Sequence, residues 1–130
     1  MPVNYLPSLD PELREGTYVF TSVPLTEDIS SLDVIATMRE DEGLTLVLLE
    51  SIAKQRGFDP IFRCAWITLR VNSDLDAVGL TAAFARSLAG ESIACNVIAG
   101  ACHDHLFVPV DRAADALHCL QQLQRRSAGG

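Results

Sequence analysis

The stretch I-F-R-C-A-W-I-T-L-R-V, Ile61 to Val71, constrains the fold more than any other. β-Branched and aromatic residues recur along it without a glycine or proline, the composition of a long strand. Beyond Val71 the period changes. Asn72 and Ser73 offer N-cap chemistry, and Ser73-x-x-Asp76 has the spacing of a capping box. The helix predicted from Asp74 to Ala89 ends at Gly90. It carries two apolar stripes, one of Leu75, Val78, Ala82, Ala85 and Ala89, the other of Leu80, Phe84 and Leu88. Apolar surface that wide must be covered on two sides, by a sheet and by a neighbouring helix or a partner subunit.

The order after this helix narrows the topology. Ser92 to Gly100 reads as a strand, and Leu106 to Val110 as its hairpin mate. Asp111 is placed to cap a last helix, Arg112 to Arg126, whose Ala113, Ala116, Leu117, Leu120 and Leu123 share one side. Strand, helix, strand, strand, helix is the core of a ferredoxin-like α+β sandwich. The first half is less regular. Asp10 to Glu15 reads as a short helix opened by Asp-Pro and stopped at Gly16; Thr17 to Val23 is a strand closed by Pro24, and Pro24 to Ser31 a polar loop. Asp33 to Arg39 suits a second strand, although its pattern also permits a helical turn. The acidic turn before Gly43 leads into Leu44 to Leu49, an apolar run that fits a strand buried on both faces. Ser51 to Arg56 reads as a helix ended by Gly57, with Pro60 soon after. The boundary between the halves is expected near Gly57 to Pro60, dividing the chain into residues 1–59 and 60–130.

Composition limits the function. Of the 130 residues 48% are hydrophobic and only 6% aromatic, so a core must be aliphatic; the net charge is -7. Arg125 and Arg126 are the only adjacent basic pair, so a phosphate backbone is not an expected partner. No apolar run reaches the roughly 20 residues of a membrane helix, and Met-Pro-Val-Asn lacks the character of a signal peptide. A cytoplasmic protein is expected, with Cys64, Cys95, Cys102 and Cys119 reduced and in core positions.

Two stretches hold residues suited to chemistry. In A-C-H-D-H-L-F-V-P-V, Ala101 to Val110, His103 and His105 would share one face of a strand, a spacing able to chelate zinc or copper if a further ligand arrived. Cys102 and Asp104 would point to the opposite face, and nothing in the sequence brings His118 near, so no metal site is expected. Cys102 and His103 diverge on an extended chain and make no nucleophile and base pair; phosphate-cradling and nucleophile-elbow motifs are absent. An enzyme is not expected, nor a cofactor. The second stretch is the junction Asn72 to Leu80. There a helix start offers N–H groups to a carboxylate, Gly79 allows close approach, and Asp74 or Asp76 is placed to meet an ammonium. The same aspartates serve equally well if they only stabilise the first helical turn.

V-N-S-D-L-D-A-V-G-L-T-A-A-F-A-R-S-L-A-G-E-S-I-A-C-N-V-I-A-G, together with E-G-L-T-L-V-L and H-D-H-L-F-V-P, resembles the ACT-domain signature. The likeness runs from about Leu9 to Leu123. It is similar to small bacterial proteins of two fused ACT-like halves, to the arginine-sensing ACT proteins of animals and to the ACT pairs of aspartate kinases. The resemblance implies two ferredoxin-like halves packed side by side, antiparallel sheets with helices on one face, and a small ligand, an amino acid, held between them. It nominates Thr45 and Leu46; Asp76, Val78, Gly79 and Leu80; Asn96; and Gly100, Ala101 and Asp104. Two positions depart from it: Ala101 and Cys102 replace aromatic residues before H-D-H, and Ala77 replaces an acidic residue after Asp76. The expectation is a regulatory module without catalysis and a homodimer through the helix from Asp74 to Ala89. The alternative is a ligand-free module that only assembles with a protein partner.

Overall fold

The computed structural model describes residues 9–71 and 78–129. They form an α+β fold with two compact units, one of residues 16–64 and one that joins residues up to 15 to those from 65 onward.

In the first unit, β2 (Tyr18–Val23) pairs antiparallel with β4 (Leu44–Leu49), and β3 (Val34–Arg39) pairs with the far side of β4 through a register shift at Val34/Ala36. The start of β5 (Phe62–Leu69) adds to β2 through Phe62, Arg63 and Cys64. Alternation sends Val19, Val23, Leu46 and Leu48 to one face. There they pack with Ala53 of α1 (Glu50–Arg56), and Ile29, Ile52 and Phe58 close the edges. Leu46, Val47 and Leu48 are all buried, as expected of a strand covered on both faces. α1 stops where Gly57 turns left-handed, at φ 73°, and its N–H returns to the Lys54 carbonyl. Gly43 closes the β3–β4 hairpin against Glu40; a Cβ there would lie 2.8 Å from Ser22 Oγ and from the Val23 carbonyl oxygen.

The second unit contains the rest of β5, β7 (Asp104–Pro109) and β6 (Asn96–Ala99) in that spatial order. Two helices, α2 (Leu80–Gly90) and α3 (Ala113–Gly129), lie on one face. Ala65, Ile67 and Leu69 alternate toward the helices. They meet Leu80, Phe84 and Leu88 of α2, Ala116, Cys119 and Leu120 of α3, and Leu106 and Val108 of β7. The Leu80 stripe is thus the core stripe of α2, whereas Ala82 and Ala89 of the other stripe are exposed. Arg112 donates to the Glu91 and Ser92 carbonyl oxygens just past the end of α2 (3.2 and 3.5 Å), placing a cation at the negative end of the helix.

Four expectations need correction. Asp10 to Glu15 is not a helix. Pro11–Leu13 is β1, paired antiparallel with Leu69, Thr68 and Ile67. Asp10 sits at φ 45°, and its carbonyl accepts from Arg70 N–H, a ladder contact that outweighs the Asp-Pro start signal. This pairing also groups the N-terminal segment with the second compact unit. α2 begins at Leu80, not Asp74, because Gly79 at φ 102° breaks helical geometry; the Ser73 capping box falls outside the described residues. A 3-10 turn, Val110–Arg112, takes in Asp111 before α3 begins, so Asp111 lies within a turn and not at a cap. Cys102 is exposed, in the β6–β7 turn.

Candidate functional site

The β6–β7 hairpin is built around a close approach. Ala99 pairs with Asp104 at its end, and Gly100 N–H donates to the His103 carbonyl oxygen (2.9 Å). A Cβ on Gly100 would lie 2.9 Å from that oxygen and 3.2 Å from His105 Nε2, so only glycine lets the His105 ring sit against the turn. His103 precedes the strand, and its Nδ1 lies 3.4 Å from the Val71 carbonyl oxygen, bringing the turn to the end of β5. The two histidines therefore have separate partners and do not form the expected pair on one strand face. Among the described residues no group of three or more His, Cys, Asp and Glu is placed to hold a metal.

Asp104 and His105 are both partly buried, with opposite consequences. Desolvation pushes the Asp104 carboxyl above its ordinary value, the nearby His105 only partly offsetting it, and Asp104 makes no ion pair among the described residues. His105 is pushed below the ordinary imidazole value by desolvation first, then by Arg14 and His103.

The helix-free face of the second unit carries a polar array. Trp66 Nε1–H donates to His105 Nδ1 (3.1 Å), and Thr68 Oγ1 lies 3.1 Å from the same nitrogen. Arg14 Nε donates to Thr68 Oγ1 (3.1 Å), and its guanidinium lies 4.4 Å from the Trp66 ring centroid. Trp66 stacks on Phe107 with a centroid distance of 6.1 Å. Glu12 pairs with Arg70 and, at 3.9 Å, with Arg14. Sequence reasoning missed this array, although its signal was present: W-x-T-x-R at alternate positions of a strand whose other positions are Ala65, Ile67 and Leu69 marks a polar face. On the helix side, a cavity of about 400 Å³ is lined by Arg86, Ser87, Gly90, Glu91, His118, Cys119 and Gln122.

The nominated residues fall in three groups. Thr45 and Leu46 are on β4 of the first unit; Thr45 Oγ1 donates to Glu40 (2.6 Å), and the Leu46 side chain is fully in the core. At the start of α2, Val78 is 81% exposed, Gly79 is left-handed and accepts from Ala83 N–H, and Leu80 is buried. No acidic residue occupies the first turn of α2. Gly100, Ala101 and Asp104 come together in the hairpin, with Asn96 exposed at the other end of β6. Asp76 lies outside the described residues.

Two family models match in tandem, both for the ACT domain, over residues 4–65 and 61–122. Among solved structures, a Vibrio cholerae protein of unknown function, described as a possible transport protein, is 48% identical over 94% of each chain, with a TM-score of 0.86. A protein from Agrobacterium tumefaciens is 19% identical over 88% of each chain (TM-score 0.68). The ligand-free regulatory subunit of aspartate kinase from Thermus thermophilus is 10% identical over 87% of this chain and 95% of its own (TM-score 0.68), a likeness of fold. No curated protein matches the chain.

Proposed function

The chain belongs to the ACT-domain family, and from that membership we propose that it is a regulatory module without catalysis, which binds a small molecule, an amino acid first of all. The observation that carries the reading is Asp104. A partly buried carboxylate with no cationic partner among the described residues is a costly arrangement that an ammonium would relieve. The start of α2 supports the other half of such a ligand, since its first turn offers N–H groups at the positive end of the helix with no acidic side chain competing. Thr45 and Asp76 extend the reading, as do the main chains of Gly79, Gly100 and Ala101. A ligand that favours one packing of the ACT domains over another shifts that equilibrium by its difference in affinity, which is how binding becomes regulation.

Titration calorimetry of the folded protein, shown free of carried-over ligand, against the common amino acids tests this. Heat with one or a few related amino acids is expected, and strong loss of it in Asp104→Asn. No heat with any of them removes the reading and favours a module that only assembles with a protein partner. A Thr45→Val variant reports whether the first half contributes to the same ligand. The reading also expects a cytoplasmic homodimer; light scattering that gives a monomer at every concentration would remove that assembly.

A further inference from the structure

The polar array on the helix-free face has one chemical constraint that fixes its state. An indole N–H only donates, so His105 Nδ1, which receives it, must carry a lone pair, and the ring is the neutral tautomer protonated at Nε2. Thr68 Oγ1 already accepts from Arg14, so its own hydrogen is directed at the same His105 nitrogen. Neutral His105 thus terminates a chain that begins just after β1: Arg14 to Thr68 to His105, with Trp66 beneath the guanidinium and donating to the same acceptor.

From this geometry we propose that His105 is a proton-operated latch: when neutral it fastens the N-terminal strand β1 onto β5, and when protonated it lets β1 go. A proton on Nδ1 would face the Trp66 N–H head-on and leave that donor without its acceptor. The new positive charge would stand beside the Arg14 guanidinium. Among the described residues, Arg14 just after β1, Arg70 just after β5 and His103 in the hairpin turn oppose a positive charge on His105, and Asp104 beside it on β7 favours one. Glu12 is already engaged by Arg70 and Arg14. The element to be released is short. β1 spans Pro11–Leu13; beyond its ladder it is tied by Arg14 N–H to the Trp66 carbonyl oxygen (2.8 Å), by Arg70 N–H to that of Asp10 (3.0 Å) and by Leu9 just before it, which is buried in the core. Short edge elements open at the lowest free-energy cost, so a local charge change acts here before it acts on the core.

Trp66 is the only tryptophan of the chain, so its emission reports on the latch directly. Fluorescence followed from about pH 8 to about pH 5 should change with a midpoint below the ordinary imidazole value of about 6.5. The change should vanish in His105→Gln, persist in His103→Gln, and shift to higher pH in Thr68→Val, which removes a donor that favours the neutral ring. Amide hydrogen exchange at Glu12, Leu13 and Arg14 should accelerate several-fold through the same transition while far-UV circular dichroism holds steady. The proposal is overturned by a midpoint at or above 6.5, by a transition that survives in His105→Gln, by unaltered exchange in β1, or by dichroism lost in step. Should His105→Gln not fold, Thr68→Val decides alone: an upward shift supports the latch and an unmoved midpoint overturns it. None of these readouts needs an amino-acid ligand, so failure here leaves the ligand reading standing.

Discussion

Asp104 carries opposite obligations to stability and to binding. Its carboxyl is raised above the ordinary value by desolvation, so the native state holds its proton more tightly than the unfolded chain. The stability this contributes is fully present below the unfolded carboxyl value and is lost as pH rises through the native one. At neutral pH the folded protein therefore carries the whole penalty. Asp104→Asn should raise the melting temperature at pH 7 and flatten its dependence on pH in the carboxylate range, read by thermal denaturation; an unchanged or lower melting temperature would count against the desolvation argument. For His105 the sign is reversed: lowered in the fold, it stabilises above the ordinary imidazole value, and that contribution is lost as pH falls toward its native one. Neither burial was legible in A-C-H-D-H. The letters placed an acid and two bases side by side, but the surroundings of His105 depended on Trp66 arriving from β5.

β1 shows why a short element is the hardest to read. P-E-L has neither the length nor the composition of a strand, and the helix signals around it were locally sound. Three ladder partners on β5 and the complete burial of Leu9 in the second unit's core decide its state. Leu9→Ala should therefore cost about 2 to 5 kcal/mol, as for a core leucine, whereas Leu13→Ala, 38% exposed at the start, should cost well under that. Urea denaturation of the two variants measures the difference; equal costs would mean that β1 is held by its backbone alone. α2 teaches the converse. Its two apolar stripes were visible, but the spacing did not say which one faces the sheet. Leu80, Phe84 and Leu88 won because large side chains remove more area from water than Ala82 and Ala89 do. The exposed side of α2 is in consequence made of Thr81, Ala82, Arg86, Ala89 and Gly90, a narrower apolar surface for self-association than the sequence suggested.

For the molecule as a whole, the four cysteines give a measurable summary of how the chain is packed. Cys64 and Cys119 are buried, Cys95 is half-buried, and Cys102 is exposed in its turn. Burial pushes the Cys64 thiol up to about 12 and that of Cys95 up to about 11, far from the thiolate that reacts. A chromogenic disulfide reagent at neutral pH should find one fast thiol in the native protein and four after denaturation, and Cys102→Ser should abolish the fast one. Two fast thiols would mean that one unit opens readily. By itself the sequence determined the α+β class, the strands β2, β4, β5 and β7, the helices α1 and α3, and the ACT-type order of the second half. Those features rest on periodicity and on side-chain shape, which are local. Only the tertiary structure decided that α2 starts at Leu80, that the N-terminal segment is a strand of the second unit, and that His105 is neutral. The strand and the histidine both depend on partners more than thirty residues away in sequence, where backbone pairing, burial and charge replace local preference as the larger energy.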